Sequence, residues 1–317
     1  MRASGVIKGG LFVVASALLP LLGPPHWVLN MLVFVLMFAA LSSAWNLVGG
    51  LAGYPSLGHA AFFGLGAYAF ALLLHRQAGL TDGWHPFAWL PAIGVGVALL
   101  GVPVAALAMR TRADVFAIVT ITLVFVVQTL AFNLHGLTGG AQGLSFPVAP
   151  FAADTFERPF YYVLLALLVL AMLLTYGAQR SKVGLALATV RGDEDKARGV
   201  GVPVAGVKVL AFAVSVGLTA MVGAVWAYYQ VGMIYPQFAV DPLTTIAVVL
   251  MTFLGGRGTL WGPVLGAVVL EGGQQYLAYQ LGASQFYLIA YAMVFLLIML
   301  ALPRGVLPTL AERRWLR

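Results

Sequence analysis

The sequence predicts an all-α, polytopic integral membrane protein with about ten membrane-spanning helices. Three observations carry that prediction. First, 62% of the 317 residues are hydrophobic and 9% are charged, with a mean hydropathy of +0.97. A soluble domain has about a quarter of its residues charged, so this chain lacks the polar surface that water demands. Second, apolar runs of the ~20 residues that cross a bilayer recur from end to end. Third, the basic residues gather at alternate ends of those runs.

In chain order the runs are 9–23, 27–49, 57–75, 87–109, 114–134, 159–178, 207–229, 241–255, 259–281 and 285–303. The first begins MRASGVIKGG, a basic start before a short apolar stretch, as in a signal peptide. No small-residue cleavage motif follows, so it reads as a retained first helix. The third is glycine-rich: within GGLAGYPSLGHAAFFGLGA (49–67), Gly58, Ala61, Gly64 and Ala67 fall at helical spacing. Small residues let helix backbones approach closely in lipid. Pro55 and Ser56 precede this helix as opening residue and cap, so the region reads as either tight packing or a broken helix beside a pathway. The eighth run begins Asp241–Pro242, an N-cap followed by proline at the first helical position. The ninth follows LGGRGTLWGPVLGA (254–267), whose helix–Gly-Gly–turn–Pro–helix order echoes LVGGLAGYPSLG; such echoes accompany internal repeats in transporters.

With the N-terminus inside and ten crossings, fifteen of the seventeen Lys and Arg lie on the cytoplasmic side, among them Arg2, Lys8, Arg110, Arg112, Arg257, Arg304, Arg313, Arg314 and Arg317. Arg76 and Arg158 alone fall outside. This positive-inside bias sets both termini in the cytoplasm and accounts for the net charge of +7 without a nucleic-acid partner. The runs continue without a soluble module, so residues 1–317 form a single membrane domain.

The absence of cysteine excludes disulfides, thiolate metal sites and a cysteine nucleophile. GLGAY and GVGV are too short and too deep in apolar sequence to hold phosphate. No nucleophile–base pair or metal spacing is visible, so the reading is a non-enzyme without a cofactor. The polar residues inside spans become candidates for a translocation path: Asn46, Ser56, His59, Gln128, Glu271 and Gln274, with Asn133 a weaker one. Glu271 stands out. A carboxylate at the centre of a spanning helix costs roughly 2.5–3.5 kcal/mol, so it must face protein or water, as a hydrogen-bonded contact or as part of the path.

Residues 180–208 hold nine of the 27 formal charges. Within this cytoplasmic loop (180–206), GDEDKARGVG reads as one short helix. Asp193, Glu194 and Asp195 suit its N-terminal dipole, Lys196 and Arg198 its end, and Gly199 and Gly201 its stop. Two turns of helix are marginal in water unless packed on something.

At this point the chain resembles the permeases of ATP-binding-cassette (ABC) importers for branched-chain amino acids, specifically their M-type subunit. The resemblance covers about 43–303 and rests on SLGHAAFFGLGAYAFALL (56–73), FAIVTITL (116–123), LTGGAQGL (137–144), VRGDEDKARGVGV (190–202) and GGRGTLWGPVLGA (255–267). It implies a bacterial or archaeal cytoplasmic membrane, an H-type sister permease, two cytosolic ATP-binding subunits and a periplasmic or lipid-anchored substrate-binding protein. It also implies that 190–202 is the coupling helix, with Arg191, Asp193, Glu194, Ala197, Arg198 and Gly201 at the matching positions. A cysteine at Glu194 would then crosslink to the ATPase groove. The chain departs from the family's pattern at Gly192 and Gly199, which weaken the free helix, and at Tyr54 and Pro55. Urea, short amides or another amino acid are the alternative cargo. A self-sufficient secondary transporter would need more intramembrane acids than Glu271, and a membrane enzyme would need a convergent constellation that the five scattered histidines do not offer.

Overall fold

A computed structural model of the protein describes residues 2–76 and 83–281, together with Met293, Leu296, 305–307 and 309. Apart from Met293 and Leu296, the expected tenth span, 285–303, lies outside the described residues, as do Arg304, Arg313, Arg314 and Arg317.

Each of the nine other expected spans coincides with a helix. They are α1 (Arg2–Leu18, continued as a 3-10 turn over Leu19–Leu22), α2 (His26–Trp45), α3 (His59–Arg76), α4 (Leu90–Ala108) and α5 (Ala113–Asn133). A four-residue α6 (His135–Thr138) precedes α7 (Glu157–Arg180). The charged loop holds α8 (Lys182–Gly192) and α9 (Glu194–Gly199); α10 (Val204–Tyr229), a short α11 (Pro236–Ala239), α12 (Pro242–Gly255) and α13 (Gly262–Leu281) follow.

Among the described residues, six helical segments are both long and apolar enough to cross a bilayer, so the expected count of ten is not reached on that criterion. The tenth span lies outside the described residues, and three helices account for the rest of the difference. α1 is a short apolar run. α3 is diluted by glycine and ends in His75–Arg76, and α13 carries Glu271 and three glutamines. α1 nevertheless packs into the bundle: Tyr161 and Tyr162 donate to the carbonyls of Ser16 and Ala17 at 2.7 and 3.3 Å, and Phe12 meets Trp261 edge-on.

α10 is the central helix and packs on α2, α3, α4 and α7. Its approach to α3 is set by glycine on both sides. A Cβ on Gly66 would stand 2.1 Å from Ala220 O, and one on Gly223 2.1 Å from Phe63 O. Backbone contact of this kind replaces the hydrophobic drive that lipid cannot supply. At the end of the bundle away from the charged loop, Leu144–Ser145 (β1) and Met233–Ile234 (β2) form a small antiparallel pair in the register Leu144↔Ile234. It ties the LTGGAQGL loop to the end of α10. Asp241 caps α12 as expected, its Oδ1 accepting from Leu243 N at 2.9 Å.

The charged loop differs from the expectation of a single helix. α8 is a separate element, capped by Ser181 Oγ, which accepts from Gly184 N, and anchored by buried Leu187 and Val190. Val183, Leu187 and Val190 lie on one face at helical spacing, a signal present in the sequence but overshadowed by the charges that follow. Gly192 ends α8, so it does not weaken α9.

Candidate functional site

One end of the helical bundle, the end expected to face the cytoplasm, is built around two helix breaks and the α8–α9 unit beneath them. α2 does not end at Trp45; it widens into a π-helical turn over Asn46–Ala52, and residues 53–58 then run irregularly into α3. Tyr54, Ser56 and Gly58 are buried. Irregular backbone inside a membrane protein must find partners within the protein, and here they are identifiable. Trp45 Nε1 donates to Ser56 O at 2.7 Å. Leu57 N donates to Thr120 Oγ1 of α5 at 3.0 Å, and Ala60 N to Thr245 Oγ1 of α12 at 2.7 Å. Ser56 Oγ accepts from Gly58 N at 3.3 Å, a local turn that closes just before α3 rather than the helix cap expected of it.

The second break joins α12 to α13 and lies against the first. The Asn46 side chain donates to Thr259 O at 2.9 Å and accepts from Gly258 N at 2.7 Å. Gln179, at the end of α7, donates to Gly258 O at 3.1 Å.

The α8–α9 unit holds this assembly from below. Arg191 Nη1 donates to Gly50 O at 2.8 Å. Burial, and secondarily Arg257, lowers its pKa from the ordinary value, but an arginine stays charged in proteins. Asp193 is the N-cap of α9: its Oδ1 accepts from the amides of Asp195 and Lys196, both at 3.1 Å. Glu194 accepts from the Tyr54 hydroxyl, from Arg198, and from Lys208 Nζ at 3.2 and 3.3 Å. The Lys208 ammonium also stands 4.0 Å from the centre of the Tyr54 ring, a cation–π contact that desolvation strengthens. Ala197 is fully buried. α9 stops in a Schellman motif: Val202 N donates to Ala197 O and Gly201 N to Arg198 O, both at 3.0 Å, with Gly201 at φ +82°. Leu187, Val190 and Ala197 belong to one buried cluster with Val48, Tyr54 and Phe212, so the α8–α9 unit and the spans share a core. The opposite face is open, with Leu185 at 72% and Val200 at 75% exposure.

Comparison with known proteins decides the family. A model described as "Branched-chain amino acid transport system / permease component" matches residues 27–302. The chain belongs to this family of transport permeases. The protein is 28% identical to the "High-affinity branched-chain amino acid transport system permease protein LivM" of Escherichia coli (strain K12), over 95% of this chain and 76% of the relative. The figures are the same for the LivM of Salmonella typhimurium (strain LT2). No solved structure gives a significant match. With its apolar helices, this family membership makes the chain a multi-pass inner-membrane permease of the ABC importer type.

Of the residues singled out as path candidates in this permease, Ser56 and His59 bond to each other, while Asn46, Gln128 and Glu271 find partners elsewhere. Asn46 is fully buried and bolts the two breaks together. His59 is the middle of a buried relay. Ser215 Oγ donates to Ala44 O at 2.6 Å, which leaves it to accept from His59 Nε2 at 2.8 Å. His59 Nδ1 then accepts from Ser56 Oγ at 3.1 Å. The network assigns a neutral imidazole with both nitrogens satisfied. Gln128 donates to Val240 O at 2.9 Å. Glu271 is buried on α13 and accepts from Gln275 at 2.9 Å, while Gln274 makes no such bond to it. A cavity of about 10 Å³ beside His59, Thr219, Thr244 and Thr245 has room for about one water.

Sequence reasoning missed the roles of Tyr54, Gly50, Thr120, Ser215 and Lys208. Tyr54 stood out only as a departure from the family's pattern; its hydroxyl meets Glu194. Lys208 was counted with the loop, yet it falls inside the seventh apolar run, where a cation needs a partner.

Proposed function

We propose that this permease is one of two membrane subunits of an ATP-driven importer for leucine, isoleucine and valine. The carrying observation is the α8–α9 unit, fused to the cytoplasmic core on one side and open on the other through Leu185, Lys196 and Val200. An open face of apolar and charged side chains on an otherwise packed unit suits docking into a groove of a cytosolic ATP-binding subunit. Of the residues matched to the coupling helix, Arg191, Glu194 and Ala197 turn toward the permease itself, while Asp193, Arg198 and Gly201 shape and border the docking face. The ATPase pair closes on ATP, moves the docked unit, and the spans shift between inward- and outward-facing arrangements.

The cargo follows from the family description and from the names of both relatives. A cargo with a zwitterionic head and an apolar tail needs weak polar contacts that release it again, which suits spans with few charges. The cavity beside His59 is too small for such a molecule, so the path opens elsewhere. α5 is the least buried of the six crossing segments, and its exposed face carries Thr122 and Thr129 among apolar residues. That face suits an H-type sister permease, with the path between the two. A binding protein on the outer side delivers the amino acid.

Reconstitution of the permease with its sister, ATPases and binding protein tests this reading. Labelled leucine, isoleucine and valine are expected to accumulate in vesicles only with ATP. Uptake of urea in their place overturns the cargo, and ATP-independent uptake by this chain alone overturns the mechanism.

A further inference from the structure

We propose that Arg191 is a positioning residue that makes the α8–α9 unit and the two helix breaks move as one body, so that ATP-driven motion enters the membrane through the end of α2. The inference rests on the docking reading and adds the route by which the motion leaves the docked unit.

Arg191 stands in the last turn of α8, and its side chain runs along the first break. A Cβ on Gly53 would lie 2.8 Å from the Arg191 Cγ, and one on Gly258 2.7 Å from its Nη1. The stem therefore lies on one break and the head reaches between both. The bond to Gly50 O is made where the π turn widens α2 and the last carbonyls lack intrahelical partners. A cation at a helix C-terminus also meets the favourable end of the dipole. The second break is joined to the same place by Asn46, which bonds both Gly258 and Thr259. On the far side of the segment, Glu194 holds Tyr54. The unit thus grips residues 50–54 from two sides.

The gripped backbone is the part of these helices most able to turn. Gly53, Gly256 and Gly258 have φ of +77°, +119° and +77°. Hinges absorb displacement at a few such positions while helices move as rigid rods. Beyond the hinge, residues 56–59 connect through Ser56, His59 and Ser215 to Ala44, which brings α3, α10 and α2 into one chain of contacts. A displacement of α8–α9 therefore has a continuous path to three spans.

The chain has no cysteine, so spin labels can be placed at will. Gly192 has open space around it, and Leu51 lines a cavity of about 480 Å³ beside it. With labels at Gly192→Cys and Leu51→Cys in the assembled, vesicle-bound importer, the distance between them is expected to stay constant between nucleotide-free and ATP-trapped states. In Arg191→Gln it becomes nucleotide-dependent. The ATP hydrolysed per amino acid carried is then expected to rise roughly tenfold, the factor expected when one charge-assisted hydrogen bond is lost from the moving state. Arg191→Lys recovers part of the loss. A 192–51 distance that changes with nucleotide in the unsubstituted importer overturns the tie, and needs no Arg191 variant to fold. An unchanged transport-to-ATP ratio in Arg191→Gln overturns it equally. Failure of Val200→Cys to crosslink to an ATPase removes the docking reading itself, and is distinguishable because it leaves the 192–51 distance unaffected.

Discussion

Glu194 and Lys208 form an ion pair whose two members differ in exposure: the Lys208 side chain is 1% exposed and that of Glu194 21%. Removing one partner of a buried pair leaves a charge without compensation, at a cost of about 3–5 kcal/mol, whereas replacing both by apolar groups is often neutral. Glu194→Ala is therefore expected to destabilise the permease by about 3 kcal/mol, the low end because Glu194 is partly solvated. The double variant Glu194→Ala/Lys208→Met is expected to recover most of that loss. Thermal unfolding in detergent checks both, and equal losses in the two variants would contradict the pairing. Asp193 offers a pH test. The Lys196 amide and then its ammonium hold the Asp193 carboxyl below its usual pKa. The cap is thus complete at and above the ordinary carboxylate range and is lost as pH falls through the depressed value. Amide protection at Asp195 and Lys196, exchange taken relative to the intrinsic rate at each pH, is expected to be constant near neutrality and to fall in acid, and Asp193→Asn to remove that dependence.

At the scale of elements, the broken entry into α3 is held by side chains from other helices. Leu57 N depends on Thr120 Oγ1, and Ala60 N on Thr245 Oγ1. Thr120→Val keeps the shape and strands a buried amide, which costs about 1–3 kcal/mol. Thr245→Val is expected to behave alike. Calorimetry on the purified permease measures both; losses no larger than that of Thr129→Val, whose hydroxyl bonds only its own helix, would show that the amides find other partners. The outer helices and the α12 cap were legible in the sequence because apolar run length, Asp–Pro chemistry and positive-inside bias are local signals. The break was legible as a Gly–Pro interruption. Its function as a junction was not, because the partners of Asn46, Thr120 and Thr245 lie between 63 and 213 residues away. α8 was legible in principle from Val183, Leu187 and Val190. Arg191 and Glu194 stood in the sequence as positions matching a coupling helix, Glu194 within reach of an ATPase groove; the fold turns them inward, on a carbonyl and a tyrosine that no spacing rule pairs with them.

For the whole molecule, the architecture separates two tasks. One half is a packed aromatic layer around Phe87, Phe160 and Tyr228. The other half carries both breaks and a helical unit, α8–α9, that shares the core of the spans. Force applied to that unit has a packed route into the spans. The central claim is that the exposed face of α8–α9 is where an ATP-binding subunit docks. The most direct measurement places one cysteine at Val200, where the side chain is 75% exposed, and scans single cysteines through the groove of the ATPase in the assembled importer. The account predicts a crosslinked pair whose yield changes between nucleotide-free and ATP-trapped states. No crosslink at any groove position, in a complex that still transports, would contradict it.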